Sequence, residues 1–339
     1  MSNFYNTQRQ GFTLVELLVV IVIIGILASM AFVGGRAAIS QARRTVISTG
    51  INQVEMAVEA YKQKYGEYPP DFSDPAAVMR HVQKRWPRFQ DVVLAGGTKP
   101  LTADTFYQKV RELGWNFQID NQDGVGYAGS LAFWLGGPLD TSKGMLGGFG
   151  MDPSNPFNLT QRENPMMELT LGKNLAVFTI TDDKGSPVVG KDMYGKDCDL
   201  TVYAVFAYKT PLVYFRPTVT GYLQKNVEGN STFYTLRHFH DGTLGCAAPY
   251  AKGATIDPAV SADRTGEKIT AAGAAKIVWQ NPTGFQIISA GLDGVFGQED
   301  SKDPFKGLLR VVDSGSTTGC TLEDEDNQAN FGGTTISAK

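Results

Sequence analysis

Residues 12–33 read FTLVELLVVIVIIGILASMAFV, an apolar run that one charge, Glu16, interrupts. As a helix rising 1.5 Å per residue, these 22 positions span about 33 Å, against roughly 30 Å for the hydrocarbon core of a bilayer. The run therefore predicts a transmembrane helix over 12–34. The ten residues before Gly11, MSNFYNTQRQ, are polar, with Arg9 as their one basic side chain. A secretory signal has an apolar core of about 7–15 residues followed by a small-residue cleavage site. Ser29-Met30-Ala31 has that form, but the run is too long and Glu16 sits inside it. A plain anchor explains the length and leaves Glu16 without a reason. A charge at the bilayer centre costs about 2.5–3.5 kcal/mol, so a tolerated one calls for a partner or a function. Glu16 lies nearer the helix end, where the cost is smaller.

Gly11-Phe12-Thr13-Leu14-Val15-Glu16-Leu17 resembles the prepilin processing motif of type IV pilins and type II secretion pseudopilins. The resemblance implies a leader, 1–11, that a prepilin peptidase cuts after Gly11, followed by N-methylation of the new terminal amine at Phe12. Glu16 then takes the fifth mature position, which holds a glutamate in that family and serves assembly. Basic residues near the run are Arg9 on one side and Arg36, Arg43 and Arg44 on the other. Counted alone, they place the C-terminal part in the cytoplasm. The resemblance implies the reverse, an inner-membrane anchor with the head in the periplasm, and the Arg cluster falls on a helix the family also places outside.

Beyond Gly34-Gly35 the pattern becomes amphipathic. Ile39, Ala42, Val46, Val54, Val58, Tyr61 and Tyr65 recur at steps of three and four, with a gap across Gly50. This predicts a second helical segment, 35–65, with one face to bury. It stops at Gly66 with Pro69-Pro70 beyond. Continuous from Phe12 to Tyr65, the helix would run 54 residues, or about 81 Å. The stretch Ala60–Pro70, AYKQKYGEYPP, is similar to the end of the long helix in major pseudopilins, where a YxxxxGxYP-like stretch turns the chain into the head. One departure stands out: many members kink the membrane helix with a Pro, where this chain has Gly25 and Gly34-Gly35.

The remaining residues, 66–339, predict a globular head. His81 to Arg111 suggests short helices, and Gly124 to Phe157, rich in Gly and Pro, reads as irregular. Runs rich in β-branched and aromatic residues predict strands at 175–181, 200–208, 212–215, 231–237, 276–280, 285–289 and 308–312. The fold class expected is α+β, a long N-terminal transmembrane and amphipathic helix packed on an antiparallel sheet. The head is larger than that of an ordinary major pseudopilin.

The formal net charge of −3 and the absence of a basic block leave no footprint for nucleic acid. The acidic run 323–326 reads as a solvated segment. Cys198, Cys246 and Cys320 form no CxxC pair, so a structural zinc site is not indicated; one disulfide is possible in an oxidising compartment, with no pairing chosen. His238 and His240 share a strand face but have no third ligand nearby in sequence. No P-loop, GxSxG elbow, GxGxxG fingerprint or HExxH helix occurs, so no enzymatic activity is expected.

The segment from Ser289 to Asp303, SAGLDGVFGQEDSKD, is similar to the calcium loop near the C-terminus of major pseudopilins. Calcium takes six to eight oxygens, mixing carboxylates and carbonyls. The resemblance assigns Asp293, Asp300 and Asp303 as carboxylate ligands, with carbonyls such as those of Ala290 and Gln298. An acidic Asp-Gly surface turn accounts for the same residues. The function implied is structural: a subunit of a type II secretion pseudopilus, polymerising with itself and other pseudopilins on an inner-membrane assembly platform. A pilin or minor pilin of a cell-surface filament is the related alternative. A membrane-tethered extracytoplasmic enzyme or binding domain is the rival, and it needs a constellation in 75–280 that the sequence does not display.

Overall fold

Between the apolar run and the amphipathic stretch the backbone stays helical without a break, as α1 (Leu14–Tyr65, 52 residues). The computed structural model describes residues 13–117, 125–182, 184–191, 197–199, 201–208, 210–219, 221–228, 231–252, 269–297, 310–313, 316–318 and 327–331, with 31–37, 125, 189–191, 197–199, 228, 231, 271–272, 310–313 and 316–318 as backbone only. The expected leader 1–11 lies outside them. The chain divides into two compact units, 1–45 and 46–339.

In the second unit, α1 buries Ile47, Ile51, Val54, Val58 and Tyr61. These fall at steps of four, three, four and three, one stripe of the helix. The stripe corrects the expected register at its start. Val46 is 56% exposed, whereas Ile47 is 0% exposed. The gap seen across Gly50 came from choosing the wrong neighbour: 47 and 51 close it. Gly50 is where the strand Thr201–Ala207 comes closest, since a Cβ there would lie 3.2 Å from that of Ala207. The helix ends at Gly66, whose φ of 78° closes the last turn by donating its N–H to the Lys62 carbonyl at 2.7 Å.

Two helices follow, as expected. Asp74 caps α2 (Pro75–Arg85) by accepting the Ala76 N–H at 2.9 Å, with Pro75 at the first position. The second, α3 (Ala103–Glu112), starts on a Thr102–Thr105 capping box and buries Phe106, Tyr107 and Val110.

Where an irregular region was expected, 124–157, the chain forms α4 (Val125–Leu131), which runs into a π-helix (Ala132–Gly136). All five residues of that π-helix are buried. Several of the glycines in this stretch let packed surfaces meet, while Gly144, at φ 62° with open space around it, marks a turn as expected. A Cβ on Gly129 would lie 2.6 Å from the Phe117 ring, and one on Gly137 would lie 2.6 Å from the Gly148 backbone. A Cβ on Gly148 would collide with the Glu163 carbonyl oxygen. Around this helix Phe72, Tyr107, Trp115, Phe117, Phe133 and Trp134 form the buried aromatic core.

The strands form sheets of two or three rather than one broad sheet. Leu175–Thr179 pairs with Thr201–Ala207, and Val213–Phe215 with Gln286–Ser289. Leu223–Glu228 pairs with Ser231–Leu236. These are antiparallel, as expected; the pairing of Tyr250–Ala251 with Arg310–Asp313 is parallel. No strand forms at 276–280. Trp279 makes an isolated bridge to Ala251, and Asn281, at φ 46°, turns the chain just before Pro282. The α+β class holds.

Candidate functional site

At the start of α1 the side chains of Thr13 and Glu16 cap the helix reciprocally. The Thr13 hydroxyl accepts the Glu16 N–H at 3.2 Å. The Glu16 carboxylate accepts the Thr13 N–H at 2.9 Å and the Thr13 O–H at 2.7 Å. This is a capping box, worth on the order of 1 kcal/mol at a helix start. It gives Glu16 a local task at the start of the helix. The signal was present in the sequence as Thr-x-x-Glu ahead of an apolar run. Every described side chain from 13 to 30 is exposed, and apart from Thr13, Glu16 and Ser29 none is polar. A helix apolar on all its faces is one that lipid or other helices cover.

The prokaryotic N-terminal methylation motif matches residues 6–32. This N-terminus is type IV pilin-like. No curated protein and no solved structure matches the chain. In the pilin-like N-terminus the expected processing residues Gly11 and Phe12 lie within the match but outside the described residues. The match supports an exported, membrane-anchored protein. Among the described residues no helix is long and apolar enough to cross a membrane. The expected span over 12–34 lies partly outside them, since residue 12 and the side chains of 31–34 are not described.

The other end of α1 carries the densest polar construction of the second unit. Tyr61 and His81 are buried, with Tyr61 Oη 2.6 Å from His81 Nε2. His81 Nδ1 lies 2.8 Å from Glu67 Oε1, and Arg216 donates to Glu67 Oε2 at 3.1 Å. Arg85 donates to Tyr61 Oη at 3.1 Å and pairs with Glu163. Its guanidinium sits 4.2 Å from the Tyr65 ring centroid, 4.4 Å from that of Trp86 and 4.5 Å from that of Phe149. Lys64 adds a 3.1 Å ion pair to Glu163.

One proton arrangement satisfies this chain of groups. Neutral His81 donates from Nδ1 to Glu67 and accepts the Tyr61 O–H at Nε2, leaving Tyr61 Oη free to accept from Arg85. Burial pushes the His81 pKa down to about 4, against the pull of Glu67. Burial also pushes the Tyr61 phenol up, so it stays a donor. At Glu67 burial acts upward, but the hydrogen bonds from His81 and Arg216 prevail and its pKa is lowered.

Next to it, Asp71 and Arg237 form a buried ion pair at 3.2 Å. Asp71 also accepts the Arg216 N–H at 2.9 Å, the Ser73 N–H at 3.2 Å and the Ser73 O–H at 2.5 Å. Arg237 donates to the Arg216 carbonyl at 2.9 Å. Removing one partner of such a pair costs about 3–5 kcal/mol, because the other charge stays buried. Phe72, between the two anchored residues, is buried in the left-handed region at φ 60°, a conformation costing about 1–3 kcal/mol. The Tyr65–Pro70 turn is thus held by His81 and Arg216 at Glu67 and by Arg85 against the Tyr65 ring. Sequence reading singled out the turn but not its partners. His81 was traceable from its place between Val78 and Val82 on the apolar face of α2; Arg216 and Arg237 were not.

At the Asp-Gly loop, Asp293 is exposed and accepts the Val295 N–H at 2.9 Å, while Ala290 is buried. Gly294 takes φ 87° and lies 3.5 Å, at its Cβ position, from the Thr210 methyl. Among the described residues Thr210 Oγ1 and both polar side-chain atoms of Gln328 are buried without hydrogen-bond partners, and Gln328 pairs in register with Ser289 at the head of the loop. Asp300, Asp303 and Gln298 lie outside the described residues. Among the described residues no group of three His, Cys, Asp or Glu side chains is placed to hold a metal. Asp241, beside the two histidines, is committed elsewhere: it accepts Thr181 N–H and O–H at 2.7 and 2.9 Å and the Thr243 and Leu244 N–H groups at 3.0 and 2.7 Å. Cys246 is buried; the Cys198 side chain and Cys320 lie outside the described residues.

Proposed function

We propose that the chain is a structural subunit of a type II secretion pseudopilus, cleaved after Gly11 and assembled through its N-terminal helix. The observation that carries this reading is the apolar helix, exposed on every described face from 14 to 30 and opened by the Thr13–Glu16 box inside the matched motif. Before assembly lipid covers that surface; in the filament, copies of the same helix and of other pseudopilins cover it. The membrane-embedded part is 12–34 and the rest is periplasmic. A prepilin peptidase processes the chain, and an inner-membrane platform assembles it. The role is structural rather than enzymatic.

The pseudopilus reading over a surface filament rests on the pinned Tyr65–Pro70 turn and the Asp-Gly loop. Calcium, when bound there, would supply a positive charge that draws the carboxylates of Asp293, Asp300 and Asp303 together. The carbonyls of Ala290 and Gln298 would complete its oxygen shell. The deciding experiment is mass spectrometry of the chain purified from membranes of a host carrying a prepilin peptidase. The expected mature chain begins at N-methylated Phe12 and disappears when Gly11 is replaced by a bulky residue. A retained Met1, or a start near Phe32, overturns the assignment.

A further inference from the structure

We propose that α2 is an acid-released latch on the end of α1, with His81 as its catch. The helix buries three residues, Val78, His81 and Val82, so the titratable one sits in the middle of its packed face. His81 joins α2 both to α1, at Tyr61, and to the following turn, at Glu67, beside the Arg85 contact with Tyr61.

The groups that face His81 come from each element around it. From α1 comes Tyr61, with the Tyr65 ring tilted beside it at 4.5 Å between centroids. From the turn comes Glu67, shared with Arg216 at 3.1 Å and Lys84 at 3.9 Å. From α2 itself comes Arg85, paired with Glu163. From the π-helix comes Trp134, edge to face with the imidazole at 4.9 Å. Glu67 favours an imidazolium, whereas burial and the guanidiniums of Arg85 and Arg216 oppose it.

Protonation breaks the arrangement at one atom. A second N–H appears at Nε2, pointing at Tyr61 Oη, which already receives an N–H from Arg85. The Tyr61 proton then loses its acceptor in a buried place, and a third cation joins two others. Moving α2 away lets water reach the imidazolium and relieves both.

The direction with pH follows from linkage. Packing lowers the His81 pKa from 6.5 to about 4, so the released state binds the proton first as pH falls. The grip of α2 is complete above pH 6.5 and is lost progressively down to about pH 4. Glu67, also lowered, loses its contribution in the same acid direction.

The test is hydrogen exchange of the full chain in detergent micelles between pH 7 and pH 4, with rates corrected for the intrinsic pH dependence. Uptake of one proton on opening gives about a tenfold loss of α2 protection per pH unit between 6.5 and 4. The strand Thr201–Ala207 keeps its protection over the same range. In His81→Gln the α2 slope flattens. An unchanged slope in His81→Gln, a flat profile in the parent, or parallel loss in the strand each overturns the latch. Where His81→Gln does not fold, the parent alone decides.

Discussion

At the scale of single residues, Glu16 and His81 make the same point from opposite ends of α1. Each is a titratable group in an apolar setting, and each is explained by what it accepts or donates. Glu16 closes a capping box with its own Thr13, yet that local task does not need a negative charge, because Gln at the same position caps as well. In the proposed filament the charge has a second use, to meet the Phe12 amine of a neighbouring subunit shifted along the axis. The two uses separate by substitution. Glu16→Leu and Glu16→Gln should both be inserted and cleaved, and both should fail to cross-link into filaments, with Glu16→Asp intermediate. Filaments of Glu16→Gln as abundant as the parent's would assign the residue to helix capping alone. The capping spacing was legible in the sequence, as was the anomaly of a charge in the apolar run. The pocket around His81 was not, because its walls come from Arg216, Tyr61, Glu67 and Trp134, which no local pattern joins.

Elements were legible where a period or a stop signal was strong. The end of α1 at Gly66 and most strands, including Leu175–Thr179, Thr201–Ala207 and Gln286–Ser289, stand within a few residues of their expected places. Two readings missed for different reasons: the stripe took Val46 where Ile47 is the buried neighbour, and the helical stretch 125–136 was read as irregular along with the rest of 124–157. The corrected stripe makes a quantitative contrast. Ile51→Ala should reduce the unfolding free energy of the full chain in detergent by about 2–5 kcal/mol. Val46→Ala, on the exposed side, should change it by no more than about 0.5 kcal/mol. Denaturant unfolding followed by tryptophan fluorescence reads both, and equal losses would mean the stripe is misplaced.

For the whole molecule, the size of the second unit is the feature with no sequence account beyond strand-rich composition. Its sheets are small, and long-range side chains rather than one continuous ladder join them. Asp241 ties Thr181 to the 243–244 turn, and Asp71 ties the end of α1 to Arg237. The proposed calcium would be one more such tie. Millimolar calcium should raise the melting temperature of the full chain in detergent, and Asp293→Ala should remove the gain. A ligand that binds only the folded state at about 100 times its dissociation constant adds about 2.7 kcal/mol. Superimposable melting curves with calcium and with chelator would dismiss the site. The same unit shows how a charge can owe its address to missing atoms. Glu163 holds Arg85, and its backbone rests against Gly148, where any side chain would strike its carbonyl. The carboxylate that steadies the end of α1 is therefore positioned by a residue that has nothing to offer it except vacancy, and a single added methyl group would speak to a guanidinium it never touches.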